Sequence, residues 1–263
     1  MHEGRGNAIK LLVGVIRALR GDGGVRVASM EGGTARNAIP REATAVVALA
    51  GASRHALDAR LAAETARLRA ELGGVDPGVV VCAEPAVAQE VLRADDESRW
   101  LDVLASSPVG VRRMSASVPG VVETSNNLGV LRLSPREAWA NLMVRSLVDA
   151  EAAALGAEIV AHFAARGLAA ATSGAYPGWA PNPDSSLLAR CQAVYRRRFG
   201  HDAAVKVIHA GLECGIIGAK VPGMDTVSFG PTIRGAHAPG ERVEVATVAG
   251  CYALLREILT SLA

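Results

Sequence analysis

The chain has 263 residues, of which 50% are apolar and 21% are charged, and its formal net charge is +2. This composition predicts a folded protein with a sizeable core and excludes a disordered chain. The low charge, without a dense basic cluster, argues against nucleic-acid binding, and no apolar run reaches the ~20 residues of a membrane helix. The four cysteines are far apart in the sequence and form no C-x-x-C pair, which fits a reducing cytoplasm.

The first part of the chain is predicted to alternate between helices and strands. Apolar spacing and Gly-rich turns define the boundaries of these segments. The predicted elements are a helix at 7–20, strands at 25–30 and 43–50, a helix at 54–72, a strand at 79–83, a helix at 95–106, strand-like segments within 110–146 and a helix at 150–165. This order predicts an α+β domain in which helices cover a sheet, with bounds 1–166.

A second domain, 167–263, is predicted beyond an irregular proline-rich stretch at 176–183. Its predicted elements are a helix at 186–199, a strand at 205–208, a short helix near 213–219, a strand at 226–229 and a last helix at 243–262. This alternation indicates a parallel α/β sheet. Two or three strands are too few to form a stable sheet alone, so we expect that part of the fold is missing.

The common catalytic motifs are absent from the sequence: it contains no G-x-S-x-G, H-E-x-x-H, Walker loop or H-x-D. Three residues are still candidates for a functional role. His237 lies on a Gly/Pro-rich loop after a predicted strand, as functional groups in α/β folds do, although a surface histidine explains it equally. Gly211 would let a ligand approach the backbone, or would simply form a turn. Arg145 ends an apolar strand and, if buried, needs an internal carboxylate or a substrate carboxylate as partner.

Six short motifs follow one another along the whole chain. They are GGTARNAIPREA at 32–43, GVVETS at 120–125, RSLVD at 145–149, GAYPGW at 174–179, HAGLE at 209–213 and GPTI at 230–233. In this order they resemble the co-catalytic zinc dipeptidases, in the aminoacyl-histidine dipeptidase branch. Full-length members are about twice this size, and their N-terminal half carries an H-x-D motif, a bridging Asp, a Glu-Glu pair and a further Asp. None of these is present here.

The resemblance therefore implies that the chain corresponds to a C-terminal portion of such an enzyme. The fold expected from it is α/β overall: an α+β lid or dimerisation-type domain, followed by the C-terminal part of an α/β zinc-peptidase catalytic domain. The general-base glutamate would lie in the missing N-terminal half. No catalytic residue is therefore assigned to this chain, which we expect to be inactive by itself.

The resemblance also implies an activity and roles for five residues. The reaction would be hydrolysis of Xaa-His and other dipeptides by a water shared between two zinc ions, with cobalt or manganese as alternatives. His237 would be a metal ligand, Arg145 would bind the C-terminal carboxylate of the substrate, and Asn37 would contact that carboxylate or the developing oxyanion. Gly211 would offer a backbone group near the substrate. Glu213 would orient its loop or act directly.

The expected partners are a dipeptide substrate, the missing N-terminal half and, in a homodimer, a second copy, with no nucleic acid and no membrane. Two alternatives to this interpretation stay open. One is a non-catalytic binding or dimerisation module derived from the family. The other is a related amidohydrolase or aminoacylase, against which the motifs at 174–179 and 209–213 argue.

Overall fold

The protein is described by a computed structural model that covers residues 4–20, 24–51, 54–116, 118–207, 213–235 and 240–262. The chain divides into two compact units, Met1–Ala175 and Tyr176–Ala263. The mixed α/β fold expected from the sequence is confirmed. The structural division falls nine residues beyond the predicted domain boundary at 166.

The first unit combines helices and strands in the predicted order. Its helices are α1 (Ala8–Arg20), α2 (Arg54–Glu71), α3 (Ala94–Ser106) and α4 (Asp149–Ala164). Its strands are β1 (Val25–Gly32), β2 (Ala43–Leu49), β3 (Gly110–Met114), β4 (Val122–Leu133) and β5 (Ala138–Ser146). The helix predictions are accurate to within a residue or two, because amphipathic spacing and acidic or Gly-rich ends fix helix bounds locally.

All five strands join one antiparallel sheet that is centred on β4. Strand β5 pairs with β4 from Thr124 to Leu133 and so occupies one whole edge of β4. The other edge is shared: β3 pairs at one end of β4, and the last three residues of β1 pair with Leu131–Leu133 at the other end. Strand β2 pairs with β1 along its whole length.

One face of this sheet is buried beneath α1, α3 and α4. The main core contains fully buried side chains of α1, α3, β1 and β4. Among them are Ile9, Ile16, Met30, Leu101, Leu104, Leu128 and Leu131. Burying each such side chain stabilises the fold by roughly 1.5–3 kcal/mol. Helix α2 lies over a second, smaller cluster with parts of α1 and β1. The candidate site residue Arg145 lies on the other face of the sheet.

The predicted strand at 79–83 is wrong, although its alternating pattern has a physical cause. The segment is extended but lies along α2, and the side chains of that helix bind its backbone. Thr65 accepts a hydrogen bond from the Val81 N–H at 2.9 Å, and Arg69 donates to the Val79 carbonyl at 2.8 Å. Val79, Val81 and Ala83 pack into the cluster beneath α2. The alternation of apolar and polar residues therefore arises because one face of this extended segment packs on a helix, and not because the segment belongs to a sheet.

The second unit is mainly helical where it is described. It contains α5 (Ser186–Phe199), α6 (Glu213–Lys220), α7 (Ala246–Leu262) and one short antiparallel pair, β6 (Ile233–Arg234) with β7 (Arg242–Val243). The strand predictions at 205–208 and 226–229 are wrong for 205–207 and 226–229, and Ile208 lies outside the described residues. The predicted parallel sheet is thus not found in the described part of this unit. A strand exists only where a neighbour supplies hydrogen bonds.

The core of the second unit is small. Helices α5 and α7 pack together through Val194, Leu254 and Ile258. Many other large apolar side chains of this unit are exposed, namely Ile216, Ile217, Val221, Met224, Phe229, Val245, Tyr252, Leu255 and Leu259. So much exposed apolar surface on a small core is unusual for an independent domain.

Candidate substrate-binding site

Arg145 lies on the sheet face that the helices do not cover. On β5, Leu142 and Val144 pack against the main core, so the alternate position Arg145 is turned to the opposite face. Arg145 pairs directly with Ser125 of β4, and opposed residues of an antiparallel pair share a face. The next position of β4 on that face is Asn127. Arg145 is half-buried there.

Asn37 is exposed on the loop that follows β1, and this loop is attached to the same sheet face. The side-chain amide of Asn127 donates hydrogen bonds to the carbonyls of Arg36 at 3.1 Å and Ala38 at 2.7 Å. These two residues flank Asn37. The structure therefore brings Asn37 and Arg145 to one face, beside consecutive same-face positions of β4, about 7 Å apart along the strand.

A buried asparagine immediately before α1 holds the side chain of Asn127. Asn7 precedes the helix, and its Oδ1 accepts a hydrogen bond from the Lys10 N–H, as an N-cap residue does. Its Nδ2 donates to Asn127 Oδ1 at 3.2 Å and to the Leu128 carbonyl at 2.8 Å. Both asparagines are buried, with 7% and 4% of their surfaces exposed for Asn7 and Asn127.

Two glycines allow the loop to approach β4 closely. The β4–β5 register shifts between Leu128 and Val130, which leaves Gly129 in a β-bulge. A Cβ on Gly129 would lie 2.5 Å from the Arg36 Cα, and one on Gly33 would lie 1.9 Å from the Gly129 carbonyl oxygen. Gly33 also has a φ of +68°, which favours glycine. Neither position accepts a side chain without moving the Asn37 loop.

Asn7 and Asn127 were missed by the sequence reasoning. A signal for Asn127 exists: residues 124–127 belong to an unbroken polar run in the central strand, and all four are buried. Buried polar side chains need partners, so such a run predicts a specific hydrogen-bond network. The signal for Asn7 is weaker, since Asn before a helix is explained by capping alone.

The predicted site residues of the second unit are only partly described. Glu213 is exposed at the first position of α6, where a carboxylate is favoured by the helix dipole. Gly211 and His237 lie outside the described residues. Helix α6 packs closely on another motif of this unit, because a Cβ on Gly215 would lie 2.7 Å from the Pro177 carbonyl oxygen. Helix α6, which begins at Glu213, therefore lies against Pro177 and Gly178.

The described residues do not themselves form a metal site. Among them, no three His, Cys, Asp or Glu side chains are grouped so that they could hold a metal ion. This part of the chain consequently does not fit a two-metal centre on its own, and no metal-dependent step follows from its geometry. Within the same residues, no helix is long and apolar enough to cross a membrane.

Comparison with known proteins finds a matching family model and two named dipeptidases to which the chain is similar. Residues 1–76 match the peptidase dimerisation domain family, M20_dimer. The cytosol non-specific dipeptidase of Escherichia coli (strain K12) is 34% identical over 260 residues, which make up 98% of this chain and 54% of that protein. The crystal structure of aminoacylhistidine dipeptidase from Vibrio alginolyticus matches with a TM-score of 0.86 and 37% identity, over 98% of this chain and 53% of that one.

The resemblance to the aminoacyl-histidine dipeptidases that the sequence motifs indicated is thereby confirmed. The chain is related to these dipeptidases over nearly its entire length. It spans about half the length of the curated relative that it matches.

Proposed function

We propose that this chain is the substrate-anchoring portion of a cytoplasmic, metal-dependent dipeptidase that cleaves Xaa-His and other dipeptides. The observation that carries the proposal is the placement of Arg145 and the Asn37 loop on one open face of the first-unit sheet. The similarity to two named dipeptidases over 98% of the chain supports it. A cation and an amide on one face suit a small ligand with a free carboxylate.

In this proposal Arg145 selects the length of the substrate. Its guanidinium binds the C-terminal carboxylate of the dipeptide through paired, charge-assisted hydrogen bonds. A longer peptide would place an uncharged amide there and would lose this contact. Asn37 donates its side-chain amide to the same carboxylate or to the oxygen that gains negative charge as the peptide bond is attacked.

The complete enzyme would use two zinc ions, with cobalt or manganese as substitutes. Such a metal pair polarises the scissile carbonyl and activates water at neutral pH. From this chain His237 would supply one ligand, as a neutral imidazole. Gly211 would offer a backbone group to the substrate, and Glu213 would orient its loop or act directly. The remaining ligands and the general-base glutamate would come from an N-terminal half.

A second candidate function is a non-catalytic dimerisation module. The match of residues 1–76 to a peptidase dimerisation domain favours it. A homodimer is compatible with both candidates. Activity decides between them: the enzyme requires hydrolysis once an N-terminal catalytic half is supplied, whereas the module requires self-association without hydrolysis under any condition.

The test combines the chain with the catalytic half and zinc and measures hydrolysis of a His-containing dipeptide and its C-terminal amide. We expect no turnover from the chain alone, because one histidine cannot hold a two-metal site. In the complete enzyme, amidation of the substrate should reduce kcat/KM far more for the wild type than for Arg145→Ala. The reason is that amidation and the substitution remove the same interaction. Arg112→Ala, which breaks an exposed ion pair with Glu158, is the matched control. Equal amidation effects in wild type and Arg145→Ala would refute the role of Arg145.

A further inference from the structure

We propose that Asn127 is a positioning residue for Asn37, and that Asn7 fixes the direction in which the Asn127 amide points. This inference rests on the proposed function, because it assumes that Asn37 contacts the substrate. It adds residues that touch no substrate and act through the loop that carries Asn37.

The orientation of both amides follows from a backbone group that can only donate. The Lys10 N–H at the start of α1 donates to Asn7 Oδ1, so the Asn7 oxygen faces the helix and its Nδ2 faces β4. That Nδ2 donates to Asn127 Oδ1, so the Nδ2 of Asn127 must face the other way, toward the loop. If either side-chain amide rotated by a half-turn, its NH2 group would face another N–H group and the hydrogen bond between them would be lost.

The two acceptors of Asn127 make this arrangement specific for Asn37. They are the carbonyl groups of the residues on either side of Asn37, namely Arg36 and Ala38. The Ala38 N–H closes the turn by donating to the Ala35 carbonyl at 3.2 Å. With both flanking carbonyls held, the backbone of Asn37 is fixed while its side chain remains exposed. An exposed loop residue is thus positioned by a buried network.

The close contact at Gly33 and Gly129 sets the height of the loop above the strand. The bulged Gly129 lets the Arg36 backbone lie directly on β4, which brings the carbonyls within reach of the short Asn127 side chain. A glutamine at 127 would be one methylene too long for this spacing. We therefore expect neither the shorter Ala nor the longer Gln to replace Asn127.

A neighbouring asparagine provides a matched control. Asn126 is equally buried, at 2% exposure, but lies on the opposite face of β4 and donates to the Pro108 carbonyl. Loss of the Asn126 amide removes a buried hydrogen bond of the same strand and leaves the contacts of the Asn37 loop in place. Only loss of the Asn127 amide should alter the site.

The experiment measures kcat and KM of the complete enzyme for Asn37→Ala, Asn127→Ala, the double variant and Asn126→Ala, at equal metal content. We expect Asn127→Ala to lower kcat/KM about 10- to 100-fold, as misplacement of a contact group does. It should lower the activity of the Asn37→Ala enzyme by less than about twofold, because the two residues act as a unit. Asn126→Ala should keep kcat/KM within about twofold of the wild type.

The outcomes separate two failures. If Asn37→Ala has full activity, the proposed substrate role of Asn37 is wrong. If Asn37→Ala is impaired while Asn127→Ala is not, or if the two losses multiply, the positioning proposal is overturned and the substrate role stands. An equal loss in Asn126→Ala would also overturn it, by showing a general structural effect.

A second variant covers the case in which Asn127→Ala does not fold. Asn7→Ser keeps a capping oxygen for Lys10 but removes the donors to Asn127 and Leu128. In the 263-residue chain, without any activity measurement, Asn7→Ser should accelerate hydrogen exchange of the Ala38 amide at least about tenfold, while the amides within β4 stay protected. Unchanged exchange at Ala38 would contradict the proposed relay.

Discussion

Glu97 is a fully buried carboxylate in the first unit. Its two oxygens lie 3.2 Å from Arg20 Nε and 2.8 Å from Arg26 Nε, so it links α3 to the end of α1 and to β1. Both arginine side chains remain partly exposed, which lets water hydrate them if the carboxylate is lost. The carboxylate itself has no access to solvent and depends on these partners.

We expect Glu97→Ala to reduce the free energy of unfolding by about 1–3 kcal/mol, since the arginines lose their acceptor and a cavity forms. Urea unfolding of the chain, followed by circular dichroism, measures the change. The matched control is Asp96→Ala, which removes the adjacent exposed carboxylate with its Arg99 pair and should change stability by about 0.5 kcal/mol or less. Equal effects of the two substitutions would contradict the structural role of Glu97.

Lys10 connects α1 to the C-terminal end of α3. Its Nζ donates to the carbonyls of Leu104, Ala105 and Ser107 at 2.7–2.8 Å, which are carbonyls that the helix leaves without partners. Burial lowers the pKa of Lys10 to about 8. An unfolded chain keeps this lysine protonated up to about pH 10.4.

Between about pH 8 and pH 10.4 the unfolded state therefore binds more protons at Lys10 than the folded state does. The contribution of Lys10 to the free energy of unfolding should rise with pH across this window. The measurement is urea unfolding of the wild type and of Lys10→Met at several pH values from 7.5 to 10.5. The stability difference should shift in favour of the wild type as the pH increases. A constant difference would show that the pKa of Lys10 is not lowered.

At the scale of the single element, α5 has a double cap at its N-terminus. Ser185 accepts a hydrogen bond from the Leu188 N–H and donates its hydroxyl to Asp225, while Asp225 accepts from the Leu187 N–H. The Ser185 hydroxyl and then the Leu187 amide hold the pKa of Asp225 below its usual value. A carboxylate is also favoured at this end of a helix.

Because the folded pKa of Asp225 is lowered, its stabilising effect is present above the ordinary aspartate pKa. The effect is lost as the pH falls through the lowered folded value. We expect Asp225→Asn to destabilise α5 at pH 7. Near pH 3 the difference in α5 stability between the variant and the wild type should become smaller. Hydrogen exchange at Leu187 and Leu188 reports the change. Asp184→Asn alters a carboxylate that precedes the same cap, and should leave this exchange unchanged if Asp225 is the residue responsible.

The sequence predicted helices much better than isolated strands, and the reason is physical. A helix satisfies most of its own backbone, so apolar spacing together with end signals, such as the acidic first turn of α3 and the Ser185 cap of α5, is enough to define it. A strand depends on a partner that is distant in sequence. The segments 79–83 and 205–207 have strand-like composition, but no strand among the described residues pairs with them, and they form none.

The candidate site was predictable to a different extent at each residue. Arg145 and Asn37 came from the resemblance, and the β4–β5 register with the Asn37 loop then placed them on one face. Asn127 required the structure, because its role depends on carbonyls about 90 residues earlier in the chain. No local pattern encodes such a partnership. The roles of all five residues, Asn37, Arg145, Gly211, Glu213 and His237, stay predictions.

At the scale of the whole molecule, the two units differ in how much core they bury. The first unit has two apolar clusters around a five-stranded sheet, whereas the described second unit has one cluster of three buried residues. We expect amides of β1, β4 and β5 to be more strongly protected from hydrogen exchange than those of α5 and α7. Exchange followed by mass spectrometry on the chain tests this.

Addition of the N-terminal catalytic half gives the control for this comparison. If the exposed apolar side chains of the second unit lack a partner that this half supplies, protection of α5 and α7 should rise on mixing, and that of β4 should change little. Equal protection of both units in a monomeric chain would contradict the expectation. It would mean that the small cluster around Val194 suffices for stability.

The shared edge of β4 has a consequence for the order in which the first unit folds. Hairpin β1–β2 and meander β3–β4–β5 each form from contacts close in sequence, and three strand-paired residues on each side, 30–32 with 131–133, join them within the sheet. Closing that seam brings together segments separated by most of the unit, so we expect it to be the slow step of folding. The seam lies beside Gly33 and Gly129. We therefore expect the loop that carries Asn37 to reach its place late in folding. A chain trapped before the seam closes would hold the hairpin and the meander, but not the arrangement that brings Asn37 and Arg145 to one face.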